Sequence, residues 1–92
     1  MNKTELIAAV AERTNMTKKD VENTMTAMLD TIMERVAAGE DIRIVGFGTF
    51  ERRERKERKG CDPRTNQEII IPASKIPAFK AGKAFRDKVD AE

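Results

Sequence analysis

"ERRERKERKGCDPRTNQEIII", residues 51–71, decides how the rest of this 92-residue chain is read. Its first ten positions allow two structures. Glu51–Arg55 and Glu54–Arg58 have the spacing and orientation of i,i+4 ion pairs on a solvated helix. The downstream residues favour a strand instead. "DPRTN", 62–66, puts Asp, Pro and Asn where turns take them. "EIIIPASKIP", 68–77, is β-branched and interrupted by Pro72 and Pro77, which a helix interior rejects. A strand, a turn and a returning strand make a long ribbon arm over about 52–75. Proline in the return strand places that strand at a sheet edge.

Upstream, "EDIRIVGFGTFE", 40–51, has a period of two. Ile42 and Ile44 alternate with polar neighbours. Gly46-Phe47-Gly48 then turns the chain, and Thr49-Phe50 begins a second strand. These glycines supply turn conformations, and their bare amides also suit a phosphate.

Further upstream the period is helical. Asn2 with Glu5 three residues on fits a capping box, and Leu6, Ile7, Val10 and Ala11 recur at helical spacing. Asn15 is a left-handed stop. A second helix restarts with Thr17 as cap and runs to about Ala38, where Gly39 ends it. Its apolar residues Val21, Met25, Met28, Leu29, Ile32, Met33 and Val36 exceed one stripe. Such a helix can pack the first helix and also a second copy of itself. The methionines read as adaptable packing. The short turn between the helices leaves a helix-turn-helix reader open as well.

Downstream, "AFKAGKAFRDKV", 78–89, gives a short final helix from Gly82 or Lys83. Phe79, Ala84, Phe85 and Val89 are its apolar side; Lys80, Lys83, Arg86 and Lys88 make it basic. The expected fold class is α+β in a single domain, 1–92. A helical part spans 1–40, a three-stranded antiparallel sheet with the β-ribbon arm spans 41–81, and a short helix spans 82–92.

Composition narrows the function. The chain is 39% apolar and 37% charged, with no histidine and one cysteine. Zinc-ligand spacings and histidine-based triads are therefore excluded, and no segment isolates a carboxylate or lysine pair for catalysis. The expectation is no enzyme, no metal and no cofactor. No secretory pattern or membrane-length apolar run stands out, and a lone cysteine suits a reducing, cytoplasmic compartment. A chain this small buries too little alone, which favours an oligomer. Residues 1–51 carry 6 basic and 9 acidic groups, and residues 52–92 carry 12 and 7. The basic half points to a polyanion.

An arginine-rich ribbon suits a DNA groove, where its cations displace condensed counterions. The arm candidates are Arg52, Arg53, Arg55, Lys56, Arg58, Lys59, Arg64 and Lys75, with Lys80 beside them. Glu54 and Glu57 limit the charge and protect the arm's edges. The amides opening the last helix, with Lys83, offer a second phosphate site. Pro63 has two readings: it fixes φ at the second turn position, or it is an apolar wedge between base pairs.

"GFGTFERRERKERKGCDPRT" followed by "IPAFKAGKAF" resembles the bacterial histone-like HU and integration host factor family, and "PAFKAGKAF" is closer to HU. The resemblance covers the whole chain. It implies an intertwined helical homodimer capped by sheets, with two arms embracing double-stranded DNA. Met25, Leu29, Ile32, Val36, Ile44, Phe47, Phe50 and Phe79 would form the dimer core. It implies that Pro63 intercalates, that Arg53, Arg55 and Arg58 are arm contacts, and that Lys3, Gly46, Lys83 and Arg86 clamp the flanking backbone. This family is itself an established example of minor-groove architectural proteins that insert apolar wedges. The first two helices would then build the dimer, which displaces the helix-turn-helix reading.

The implied function is binding and bending of double-stranded DNA with little sequence preference, in compaction of the nucleoid. Bent, nicked or distorted duplex would be preferred. A site-specific bender of the integration-host-factor kind, or a dimer binding an acidic protein, are the alternatives. No small-molecule substrate or membrane is expected. The departures sit at the tip. Cys61 and Asp62 stand where the family usually has basic or amide residues, which makes the tip less basic. Cys61 reads as a neutral surface residue or as a redox-sensitive thiol.

Overall fold

The computed structural model describes residues 1–91. In order along the chain are α1 (Lys3–Thr14), α2 (Lys18–Ala37), β1 (Ile42–Ile44), β2 (Gly48–Arg55), β3 (Arg58–Cys61), β4 (Glu68–Ile71), β5 (Ser74–Ala81) and α3 (Lys83–Asp90). They fall into two compact units, Met1–Glu34 and the chain from Arg35 onward.

In the first unit the helix ends follow from local chemistry. The Asn2 side chain accepts the Glu5 amide at 2.9 Å, giving one of the first turn's unpaired N–H groups a partner. Only this half of the expected capping box appears among the described hydrogen bonds. Asn15 ends α1 with φ of 60°, as expected. Thr17 Oγ1 then accepts the Asp20 amide at 3.2 Å and opens α2. Between the helices Ile7, Ala11 and Val21 are buried, with Val10 and Met25 packed on them. That core is small. Met28, Leu29 and Met33 stay 51%, 38% and 61% exposed on α2.

The second unit begins with the last turn of α2. Gly39, at φ of 95°, closes it, and the Glu40 amide donates back to the Arg35 carbonyl at 2.9 Å. β1, β2 and β5 form an antiparallel sheet in the order β1-β2-β5. The turn between β1 and β2 is closed by the Phe47 amide on the Ile44 carbonyl at 3.0 Å, with Gly46 at φ of 82°. That is the position where a type II turn favours glycine. Gly48 differs from the expectation. It lies inside β2 rather than in the turn, because a Cβ there would stand 2.5 Å from the Lys80 carbonyl oxygen and the Phe79 ring. Its role is close approach of strands, not turning.

All four phenylalanines gather on one side of this unit. Phe50 and Phe79 face each other across the β2–β5 register with ring centroids 4.7 Å apart. Phe47 lies 5.2 Å from Phe79 and 5.3 Å from Phe85 of α3. Phe79 therefore belongs to the sheet and meets the last helix rather than forming part of its face. The cluster remains open, with Phe47 and Phe79 42% and 40% exposed.

The arm is a strand pair, not a helix, so the i,i+4 ion pairs do not form. The β2–β5 ladder ends at Arg55↔Ser74, and a second ladder, β3–β4, runs from Arg58↔Ile71 to Cys61↔Glu68. Between them lie Lys56-Glu57 on one side and Pro72-Ala73 on the other. Pro72 has no N–H to continue a ladder. β5 carries Pro77 and is an edge strand, as the sequence required. No helix among the described residues is long and apolar enough to cross a membrane.

Candidate nucleic-acid interface

The pleat sorts the charges. Successive β2 side chains point to opposite faces, and Phe50 with Phe79 marks the apolar one. Thr49, Glu51, Arg53 and Arg55 therefore share the opposite face. The register adds Arg43 of β1, opposite Thr49, and Lys80 of β5, also opposite Thr49. Arg43, Arg53, Arg55 and Lys80 thus form one cationic field across three strands, with Glu51 the carboxylate among them.

Glu51 is tied to two of these cations. Its Oε1 accepts from Arg53 Nε at 3.1 Å and lies 3.0 Å from Arg53 Nη2 and 3.6 Å from Lys80 Nζ. Its carboxyl is held below the usual carboxylate range, chiefly by the Arg53 hydrogen bond and also by the Lys80 charge, against an opposing push from desolvation.

Arg52 lies on the other side of β2. Its Nη1 donates to the Ala37 carbonyl at 3.1 Å, and its Nη2 is 3.6 Å from Glu54. This guanidinium occupies the end of α2, where a cation meets unpaired carbonyls. Arg52, one of the expected DNA-binding cations, is thus held at a helix end. Lys75, opposite Glu54 in the register, shares that face.

On the arm, Arg58, Gly60, Ile69 and Ile71 share one face; Lys59, Cys61, Glu68 and Ile70 share the other. Gly60 leaves room for Ile71, whose Cδ1 would be 2.9 Å from a Cβ there. Lys59 pairs with Glu68 at 3.6 Å, so its charge is partly met within the arm. Lys56 sits in the gap between ladders.

The tip is built by Asp62. Its Oδ1 accepts the Arg64 amide at 2.9 Å, its carbonyl accepts the Asn66 amide at 2.8 Å, and its own amide donates to the Gln67 carbonyl at 2.9 Å. Asn66 takes a φ of 59°, which suits asparagine. Pro63 and Arg64 are left exposed at the apex. Asp62 thus shapes the turn that presents Pro63. The exposed Cys61 thiol lies 3.8 Å from Asn66 Oδ1 and 4.0 Å from the Asp62 carbonyl.

Among the remaining candidates, Lys3 opens α1 and reaches Thr26 Oγ1 at 3.3 Å. Gly46 sits exposed in the β1–β2 turn. Lys83 is the first residue of α3 after the Gly82 cap, and the Arg86 amide closes the first turn on the Gly82 carbonyl at 3.0 Å. Sequence reasoning missed Arg43 and Glu51. Glu51 follows from the pleat of β2, one position from Phe50, and Arg43 from its pairing with Thr49 across the β1–β2 turn.

The family model described as bacterial DNA-binding protein matches residues 1–90. The chain is 54% identical to a DNA-binding protein HU of Nostoc sp. over 89 residues, covering 97% of this chain and 95% of the relative. A DNA-binding protein HU of Staphylococcus aureus is also 54% identical, over 97% of this chain and 99% of its own. Among solved structures, an Anabaena HU–DNA cocrystal structure superposes with a TM-score of 0.93 at 52% identity and complete coverage of both chains. HU from Thermotoga maritima superposes at 0.69 with 38% identity, covering 97% of this chain and 98% of that one. A family match over nearly the whole chain, and an identity above one half with HU proteins matched over nearly their full length, place this protein in the HU family of bacterial DNA-binding proteins.

Proposed function

We infer that the protein binds double-stranded DNA with little sequence preference and bends it, as a homodimer associated with the nucleoid. The observation that carries this reading is the cationic field of Arg43, Arg53, Arg55 and Lys80 on the sheet, leading into an arm with exposed Pro63 at its apex. The likeness to an HU–DNA cocrystal structure supports the same reading. Cations spaced along strands neutralise phosphates in any sequence, so affinity rests on ion release rather than base readout. Pro63 presents an apolar ring with no N–H to desolvate. Pushed between base pairs, such a wedge unstacks a step at a cost of about a few kcal/mol, offset by the DNA then drawn onto the body.

The homodimer is supported by what one chain leaves open. No large side chain among the described residues is fully buried, and Leu29, Met33, Phe47 and Phe79 remain exposed on apolar faces. A second copy related by two-fold symmetry covers such faces with the same self-complementary surface. The role is architectural rather than catalytic.

The test is affinity for intact, nicked and gapped duplexes across a salt series, using the whole protein. Tighter binding to nicked and gapped DNA, with a steep salt slope on all of them, is expected, because a pre-weakened duplex needs less deformation. Equal affinity for all three would sink the bending reading; no salt dependence would sink the phosphate reading.

A further inference from the structure

The cationic sheet face holds a carboxylate at its centre, which a surface built only to attract DNA would lack. Glu51 and Arg53 are two residues apart on β2, and Lys80 comes from the neighbouring strand β5. One oxygen, Oε1, serves both cations. The side chains differ in depth: that of Glu51 is 20% exposed, against 52% for Arg53 and 64% for Lys80. The carboxylate lies beneath and the cations stand above it. Arg53 spends its Nε/Nη2 edge on Glu51. That edge is the planar fork that would otherwise grip two oxygens of a phosphate.

We propose that Glu51 is an internal competitor of the DNA backbone: it holds Arg53 and Lys80 together in the free protein and surrenders them to phosphate when DNA binds. The proposal rests on the DNA-binding reading above and assigns a role to a residue that carries no charge attractive to DNA. While DNA is absent, the shared oxygen offsets the repulsion between two neighbouring cations and limits where they point. An arriving phosphate offers the same two donors a second anion. A phosphate that takes the Nε/Nη2 edge displaces Glu51, because that one edge cannot serve both anions.

The exchange also moves ions. DNA releases condensed counterions as Arg53 and Lys80 reach its phosphates. Glu51, stripped of its partners and left near the backbone, attracts a cation from solution. Part of the ion release is thereby taken back. Glu51 weakens binding and flattens its salt dependence, which keeps the grip on DNA reversible.

The experiment compares the whole protein with Glu51→Gln and Glu51→Asp on one defined duplex and one scrambled duplex over a salt series. Glutamine keeps the shape of the side chain and removes its charge. Glu51→Gln is expected to bind both duplexes several-fold more tightly, with the log–log salt slope steeper by up to about 1 per chain. Glu51→Asp, which keeps the charge, is expected to retain the parent slope. Weaker or unchanged affinity in Glu51→Gln, or an unchanged slope, overturns the proposal, as does a Glu51→Asp slope that matches the glutamine variant. If the parent itself fails to bind either duplex, it is the DNA-binding reading that falls.

Discussion

Arg52 Nη1 donates to the carbonyl of Ala37 across 3.1 Å, so a residue of the arm's base closes the end of a helix. Its neighbour Arg53 points to the opposite face of the same strand. The two arginines therefore predict different losses. Arg52→Ala removes a charged donor from a helix C-terminus and is expected to cost about 1 kcal/mol of stability, read by thermal unfolding. Its DNA salt slope should stay near that of the parent. Arg55→Ala, on the cationic face, should leave unfolding nearly unchanged and lower the salt slope by about 1. Swapped phenotypes would show that the faces are assigned the wrong way round.

Replacing Pro63 is expected to separate bending from binding. Pro63→Ala keeps every cation of the arm and the Asp62 contacts that form the tip. It should retain most of the salt-dependent affinity while the induced bend shrinks. Fluorescence energy transfer between the ends of a short duplex reads the bend directly. An undiminished bend would remove Pro63 from the mechanism.

Two glycines should fail for two reasons. Gly48→Ala drives a Cβ to 2.5 Å from the Lys80 carbonyl and the Phe79 ring, so the sheet must shift, at an expected cost of about 1–3 kcal/mol. Gly46→Ala meets nothing within 4 Å, and its cost comes from a φ of +82°, about 1–2 kcal/mol of backbone strain. Denaturant unfolding of the two variants measures both. A neutral Gly48→Ala would mean that the strands are not held at this separation.

The Glu51 cluster gives stability a pH dependence of known sign. Hydrogen bonding from Arg53, with the Lys80 charge, holds the folded-state carboxyl below its usual range. The folded state then binds fewer protons than the unfolded chain. The contribution is complete above the ordinary carboxylate range and is lost as pH falls below it, through the lowered folded value. The difference in unfolding free energy between the parent and Glu51→Gln should be present at about pH 7 and fade towards about pH 3. A difference that stays constant over that interval would deny the ion cluster its role in the fold.

The sequence revealed most of the elements because their ends are set locally. Asn2, Asn15, Thr17 and Gly39 each act on backbone groups within a turn of themselves, and each is found where expected. The ribbon was legible through Pro72, Pro77 and the turn residues, which exclude a helix. The face of the sheet on which each charge falls was harder to see. Composition counts Arg52 and Arg53 alike, yet the pleat sends one to a helix end and the other to the cationic field. Gly48 was misread because its requirement comes from β5, some thirty residues away in the chain. Asp62 looked like a loss to the tip. Only the turn geometry shows its side chain supporting the Arg64 amide.

The interruption at Lys56-Glu57 and Pro72-Ala73 matters beyond its local geometry. The ladder below it ends at Arg55↔Ser74 and the one above begins at Arg58↔Ile71. Pro72 makes that gap a property of the covalent chain, not of a passing conformation. Without ladder pairs over these residues, the arm is least constrained there, while the register is set on either side. A hinge at that gap would let an arm follow the path of a bound duplex while the sheet beneath it keeps its register.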